Sequence, residues 1–596
     1  MKVLWVTGEY PPDVGGIATM AQQTLRALES RGVETHALIC GRGDSDGLDG
    51  AITLTRRPIL ESIVENDAAA IARWVSFVRQ LKLDTAADVY HVHPADPSVL
   101  VHLLTLSAHP APTVVTFHQQ MFSVLPGATP ESLMGRLIAQ AQVITAVSAA
   151  SANEAIEALP GIADRILVIP NGIAVGKEPV LLPNSPEILA VGRLVPAKGF
   201  HDLIRSMSVV VASLPRAHLT IVGDGPEGLA LRQLSDQLGL AESITFTGAA
   251  TPDEVRTFMD SSAIVAIPST FEGMPMVALE AAERGRAVVG SNVGGINEVV
   301  LDGATGVLVN RDEHFIENYA KALSGLLCEP VETARLGKAA RERMESRQSV
   351  EHSAQLYEIV YRAVSREYPA PLVSVIMPTR NGARHVIEAI ASVLAQTLGD
   401  LELIIVDDGS SDATLEVLSA VEDSRLVVVP QPHRGTGSTR NSGVAIARGE
   451  YIAHIDHDDV WPLHRLERLA AKLVTHPELD ASFGAAVEFA DPSAKGRFEV
   501  RTEPTITRFT TTGLIRAAFH RKVGPFHRLP FGDQVDWTMR ALGHGMRYEE
   551  CTDLVLRRRI HDSNMSHRNP QDKDLSKLRL LKRTLDQRKI RAADEA

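Results

Sequence analysis

The chain has 596 residues, 44% hydrophobic and 22% charged, with Lys+Arg 60 against Asp+Glu 73 and a formal net charge of −13. That composition can bury cores and excludes a mainly disordered protein; at roughly 100–200 residues per domain, about three or four lobes are expected. The acidic balance excludes a general nucleic-acid binder, and three scattered cysteines, Cys40, Cys328 and Cys551, exclude a disulfide framework or a cysteine-based zinc site and suit a reducing compartment.

The opening MKVLWVTGEYPP reads as a first strand, with no long apolar stretch or cleavage site behind it to make a secretory leader. No window reaches the ~18 apolar residues of a spanning helix, so a soluble chain, or at most one lying on a membrane surface, is expected. KVLWVT (2–7), DVYHVH (88–93), TVVTFH (113–118) and ILVIPN (166–171) read as buried parallel strands, with helix-period segments such as 17–32 between them. A second series follows: EILAVGR (187–193), HLTIVGDG (218–225), SITFTG (243–248), SAIVAIPS (262–269) and RAVVGSNVGG (286–295), closed by a charged helical stretch over 331–367. YPAPL (368–372) reads as a linker, because its prolines cannot continue a helix. The pattern restarts with VSVIMPTRNG (373–382), ELIIVDDGSSD (402–412), RLVVVPQ (425–431) and YIAHIDHDDVW (451–461). The end is a basic amphipathic tail, with Leu575, Leu578, Leu581 and Leu585 among Lys and Arg; it could lie on an anionic membrane, pack on the preceding lobe or stay solvated.

Three features of the first half carry chemistry. Gly15-Gly16 separate a strand from a helix, where a backbone can approach a ligand and a helix N-terminus favours an anion. Alone, such a turn is more often only a turn. Arg193 and Lys198 flank a loop directly after a strand, placed to neutralise a diphosphate, although a single Lys or Arg is usually a solvated cation. In FEGMPMVALEAAERG (271–285), Glu272 precedes a helix opened near Pro275 and Glu280 lies inside it among apolar neighbours; one carboxylate can reach sugar hydroxyls and the other a ribose.

In order, these residues resemble glycosyltransferase family 4, the retaining transferases of GT-B fold, over about residues 1–365. The set is the GG loop, His118 in TFHQQ, Ser148, Asn171-Gly172, the Arg193/Lys198 loop, Gly223-Asp224-Gly225 and the two glutamates eight residues apart. The resemblance implies that Arg193 and Lys198 hold the donor diphosphate, Glu280 binds the ribose, Glu272 the transferred sugar, and His118 lies near that sugar. It also implies that Gly15 and Gly16 approach the phosphates and that no metal is needed, since cations and a helix dipole carry the leaving charge. Met274-Pro275 stand where an aromatic-glycine pair is more usual, which leaves the donor sugar open.

In the second half, Asp407 and Asp408 end an apolar strand, where carboxylates can accept from a base or ribose or simply form an Asp-Gly-Ser turn. Asp456, Asp458 and Asp459 follow the strand YIAHI; carboxylates packed so closely repel one another, and a hard divalent cation is a natural partner. With Gln396, Arg440-Asn441, DQVDWTMRA and RRRIHDSNMS, the set resembles glycosyltransferase family 2, the inverting GT-A transferases, over about 371–568. The resemblance implies that Asp408, with Asp407 and Arg440, serves the nucleotide donor, that Asp456 and Asp458 form the motif for Mg²⁺ or Mn²⁺ with Asp458 the direct ligand, and that His561 stands near metal and phosphates. An inverting transferase needs a base for the acceptor hydroxyl. Gln534 occupies the family's base position and cannot take a proton, so Asp533, the preferred candidate, or Asp536 is left for it.

The expected architecture is α/β: an N-terminal GT-B region of two Rossmann-like lobes, 1–180 (acceptor side) and 181–367 (donor side), a linker 368–372, a single GT-A αβ domain 373–568 and a tail 569–596. The expected function is a bifunctional, cytoplasmic glycosyltransferase building a glycan or glycoconjugate such as a surface polysaccharide. Its expected partners are nucleotide-diphospho-sugar donors and a glycan or lipid-linked acceptor, with no nucleic acid and a membrane contact only through the tail. The alternative is that only the GT-B half catalyses and the GT-A half is a degenerate acceptor-binding module.

Overall fold

The computed structural model describes every residue except 14, 119–131, 164, 177–180, 184, 366–369, 492–499, 530–531 and 563–596. The basic tail, part of the linker and the residues directly after His118 therefore lie outside the described residues. The chain separates into two compact units, one built from Met1–Pro160 and Val168–Tyr361, the other from Arg362 onward together with Gly161–Leu167.

The first unit holds two sheets. Val3, Leu4, Trp5 and Val6 are all at most 1% exposed, as expected of a strand covered on both faces. Lys2–Thr7 pairs in parallel with Glu34–Ile39 on one side and Val89–Val92 on the other. The sheet runs outward through Ile52–Arg56 to the antiparallel Ser45–Asp49, and the other way through Thr113–Phe117 to Val143–Ala146. The first crossover helix, Gly16–Ser30, buries Ala18, Ala21, Leu25 and Leu28, a 3–4 residue spacing that gives it one apolar stripe. The second sheet is all parallel, in the order Ile244–Gly248, His218–Val222, Glu187–Val191, Ile264–Ile267, Ala287–Ser291, Gly306–Val309. The helical stretch expected as one piece over 331–367 is two helices, Pro330–Arg347 and Val350–Val364. They part because the backbone between them is spent on a crossing chain: Ile173 N donates to Gln348 O and Val350 N to Ile173 O, each at 3.0 Å.

The second unit is one mixed sheet. Leu426–Gln431, Leu401–Asp408, Val373–Thr379 and Tyr451–His454 are parallel; Gly513–Arg516 then joins antiparallel, followed by Ala481–Ala490, which pairs with Tyr548–Ile560. Among the described residues no helix is long and apolar enough to cross a membrane.

Lys82 is an unusual occupant of the first core. It is fully buried, with Nζ 3.3 Å from His102 Nδ1, 3.2 Å from His102 O and 4.3 Å from the Tyr90 ring centroid. Burial lowers its pKa to about 7. The unfolded chain therefore binds the extra proton between about pH 7 and 10.5, so this group makes stability rise with pH across that window, by up to about 1.4 kcal/mol per unit. Lys82→Met is expected to raise the melting temperature at pH 7, with the gap to wild type closing by pH 10. Thermal unfolding at both pH values checks this; a gap that stays constant would rule out the buried amine as its cause.

Candidate functional site

In the first unit, the loop after Glu187–Val191 is shaped by glycines. Gly223 has φ +142°, and a Cβ there would lie 1.9 Å from Gly192 O; Gly199 has φ +67°, and its Cβ would lie 2.1 Å from Pro268 O. The loop is further tied by Gly192 N to Val222 O at 3.0 Å and Leu194 N to Asp224 O at 2.9 Å. It presents Arg193, exposed, and Lys198 at the end of the short 3₁₀ turn Pro196–Lys198.

Lys198 and Glu272, expected to serve different parts of a donor, are paired with each other. Lys198 Nζ lies 2.6 Å from Glu272 Oε1, which also accepts from Ser269 Oγ at 2.7 Å, and Glu272 is 3% exposed. Helix Met276–Glu283 follows, with Pro275 at its N-cap. Glu280 lies within it, half-buried; burial raises its carboxyl to about 7, with Arg256 opposing and Glu283 adding to the rise. The GG loop meets this helix: a Cβ on Gly16 would come 3.3 Å from Met276 Cγ, and one on Gly15 would come 3.0 Å from Glu9 Oε2. The two lobes thus approach each other at the residues expected to share one ligand.

Two residues here escaped the sequence reading. Glu9 has its carboxyl raised by burial, with Arg193 lowering it and Asp13 raising it, so it faces the Arg193 cation. His93 ends the strand pattern DVYHVH, stacks on Trp5 at 4.3 Å between centroids, and has Nδ1 2.8 Å from His118 Nε2. Burial lowers His118 to about 4, so its imidazole is neutral at pH 7 and serves as a hydrogen-bonding group, not a cation. Ser148 caps helix Ala149–Ala158, accepting from Ser151 N at 3.0 Å, while Glu298 accepts from Ala149 N and Ala150 N at 2.8 and 2.9 Å. That helix N-terminus is therefore occupied by a carboxylate of the same chain.

In the second unit, Asp407 is fully buried and accepts from Ser410 N at 3.0 Å and from Ser410 Oγ, closing its own turn. Asp408 holds the facing loop: it accepts from Gln431 Nε2 (2.8 Å), Arg434 N (2.8 Å) and Gly435 N (2.9 Å), with His433 Nδ1 at 2.7 Å. Gln396 ties helices together, donating to Pro462 O at 2.8 Å and accepting from Leu466 N at 3.0 Å.

The three aspartates after YIAHI have three different partners. Asp456 Oδ1 lies 2.6 Å from Arg440 Nη2. Asp458 Oδ2 lies 2.9 Å from His561 Nε2. Asp459 accepts from Arg559 N at 3.0 Å, and burial, then the Asp458 and Asp456 charges, push its carboxyl well above the ordinary range. Arg440, 2% exposed, also pairs with Asp533. Carboxylate oxygens and an imidazole suit a hard cation that completes its shell with a donor's phosphates. Among the described residues, no group of three His, Cys, Asp or Glu is arranged to hold a metal ion by itself.

Helix Asp533–Gly543 is capped by Gly532 in the left-handed region. Gln534 points its carbonyl at a neighbouring turn, accepting from Thr510 Oγ1 at 3.0 Å and Thr511 N at 3.3 Å. Asp536 lies between His527 Nδ1 at 2.7 Å and Arg540 Nε at 3.1 Å.

Three family models match the chain in sequence order: Glycosyltransferase Family 4 over 14–177, Glycosyl transferases group 1 over 177–343 and Glycosyl transferase family 2 over 374–526. The chain is 29% identical over 367 residues, 57% of its length, to 92% of a GDP-mannose-dependent alpha-(1-6)-phosphatidylinositol monomannoside mannosyltransferase of Mycolicibacterium smegmatis. It is 27% identical over 425 residues, 64% of its length, to the whole of a glycogen synthase of Mycobacterium tuberculosis. Among solved structures, the sucrose-phosphate synthase of Thermosynechococcus elongatus superposes with a TM-score of 0.51 at 20% identity, covering 61% of this chain and 98% of that one, a likeness of fold.

Proposed function

We propose that this glycosyltransferase, in which a GT-B region of family 4 and group 1 type is joined to a GT-A domain of family 2 type, uses two nucleotide-diphospho-sugar centres to add successive sugars to one glycan or lipid-linked acceptor in the cytoplasm, where such donors are made. The observation that carries the N-terminal reading is the Lys198–Glu272 pair, 2.6 Å across, beside the meeting of Gly16 with Met276.

In this reading the donor's diphosphate draws Lys198 and Arg193 to itself, frees Glu272 for the sugar hydroxyls and rests against Gly15-Gly16. Glu280, whose carboxyl burial raises to about 7, meets the ribose hydroxyls. His118, neutral and held by His93, offers a hydrogen bond to the transferred sugar. Configuration is retained and no metal is required. In the C-terminal centre, Asp407, Asp408 and Arg440 position the nucleotide end and transfer inverts the sugar, with Asp533 or Asp536 near the acceptor hydroxyl. Mg²⁺ or Mn²⁺ at Asp456, Asp458 and His561 would neutralise the departing diphosphate. The tail 569–596 would bring the chain to an anionic lipid surface carrying the acceptor.

A second reading, in which the C-terminal half binds acceptor without catalysis, is favoured by Gln534, whose side chain is committed to Thr510 and Thr511. Thermal shift and nucleoside-diphosphate release of the full chain, with UDP- and GDP-sugars and with or without Mn²⁺, separate the two. GDP-mannose is the first donor to try, after the relative's name. Two turnovers, one Mn²⁺-independent and one Mn²⁺-dependent, are expected; Mn²⁺-dependent binding without turnover would establish the second reading instead.

A further inference from the structure

We propose that His527, oriented by Asp536, takes the proton of the acceptor hydroxyl in the C-terminal centre. The inference rests on the reading of this domain as an inverting transferase and supplies the base that Gln534 cannot be.

The alternatives on helix Asp533–Gly543 are engaged elsewhere. Asp533 pairs with the buried Arg440, whose guanidinium holds Asp456 at the same time. Protonating Asp533 would break a buried, shared ion pair, which is costly. Asp536 is a weak base: burial pushes its carboxyl up, but the hydrogen bond and charge of His527 and the Arg540 guanidinium outweigh that and hold it below the ordinary range.

A carboxylate in that position serves an imidazole instead. With Asp536 Oδ2 2.7 Å from Nδ1, the proton is fixed on Nδ1 and Nε2 becomes the basic nitrogen. The same division of labour operates in other Asp-His pairs. The backbone of His527 is held in place as well. Asn441 Nδ2 donates to Phe526 O at 2.9 Å and Phe526 N donates to Asn441 Oδ1 at 2.8 Å. Gly437 packs so closely that a Cβ there would lie 2.7 Å from His527 O. His527 is thereby fixed to helix Thr436–Ile446, the helix that carries Arg440 and through it Asp456. Its side chain is 43% exposed, open to a substrate. Asp536 is the charged group in contact with it, Arg540 lies behind Asp536, and Arg528 follows it in the chain.

In the step, the acceptor O–H proton passes to His527 Nε2 as that oxygen bonds to the anomeric carbon. The bond from that carbon to the diphosphate oxygen breaks, and its electron pair leaves with the nucleoside diphosphate.

The test uses the full chain with the N-terminal centre silenced by Glu272→Gln, Mn²⁺, a panel of UDP-glucose, UDP-galactose, UDP-N-acetylglucosamine and GDP-mannose, and water or an octyl glycoside as acceptor. His527→Gln is expected to lower kcat by about 100-fold or more, to leave the donor KM within about threefold, and to remove the acidic limb of the pH–rate profile. Asp536→Asn is expected to keep donor binding and move that limb to lower pH, because the imidazolium loses its counter-charge. Retention of kcat and of the acidic limb by His527→Gln overturns the proposal, as does loss of that limb in Asp533→Asn alone. Absence of Mn²⁺-dependent turnover in the parent overturns the reading of the domain together with the proposal, a result distinct from turnover that ignores His527.

Discussion

Lys198→Ala is expected to lower kcat/KM of the N-terminal centre by about 100- to 1000-fold, the scale on which one well-placed donor to a developing negative charge acts. The size follows from two roles for one ammonium. Without a ligand, Lys198 neutralises Glu272, a carboxylate only 3% exposed, at 2.6 Å. In the function proposed above, its charge moves to the departing diphosphate when a donor is present. The short turn Pro196–Lys198 cannot drift to compensate, because Gly199 packs against Pro268 O where no side chain would fit. Removing the amine takes a charge from the leaving group and leaves Glu272 with Ser269 as its remaining partner, so sugar recognition falls with it. Glu272→Gln should cost a similar factor. Since the two act through one ion pair, the double variant should fall well short of the product of the single losses. Initial rates with GDP-mannose and UDP-glucose provide the measurement; losses that multiply would show that the pair does not act as a unit.

The sequence showed best the elements whose burial is uniform. Val3–Val6 and Ile404–Val406 are covered on both faces and read as apolar runs, and both lead into site loops. Ala481–Ala490 and Tyr548–Ile560 were invisible because their burial is uneven: the first is buried over one half and only partly covered over the other, and the second mixes exposed, half-buried and buried positions, with Glu and Arg among the apolar residues. Site residues divide in the same way. Arg193, Lys198, Glu272 and the aspartates after Tyr451–His454 belong to short motifs at strand ends, where parallel sheets place their chemistry. Glu9 and His93 carry no motif; their parts are set by Arg193 and His118, residues far away in sequence. The preference for Asp533 over Asp536 had no firm basis in the sequence for the same reason. Helix phase shows that both lie near one face, but not that Arg440 meets one and His527 the other.

Asp458→Asn is expected to abolish Mn²⁺-dependent turnover in the C-terminal centre, by about 1000-fold or more, since Lewis-acid stabilisation of a leaving diphosphate amounts to several kcal/mol. Asp458 differs from its neighbours in what neutralises it. Asp456 has a permanent cation in Arg440, and Asp459 is a carboxyl that burial and the neighbouring Asp458 and Asp456 charges push well above the ordinary range. Asp458 has His561 at 2.9 Å, and its carboxyl is held low, at about 2; burial alone would raise it, but the His561 hydrogen bond and the His457 charge prevail. An imidazole can surrender its proton to solvent and yield to a divalent ion, whereas a guanidinium cannot. Asp458 is therefore the oxygen most available to a metal, and Asp456→Asn should cost less, because its carboxylate is already shared with Arg440. Mn²⁺ titrations of donor turnover and of thermal stability compare the two variants. If Asp458→Asn keeps its Mn²⁺ response while Asp456→Asn loses it, the metal is held from the Arg440 side and the ranking argued from neutralisation is wrong.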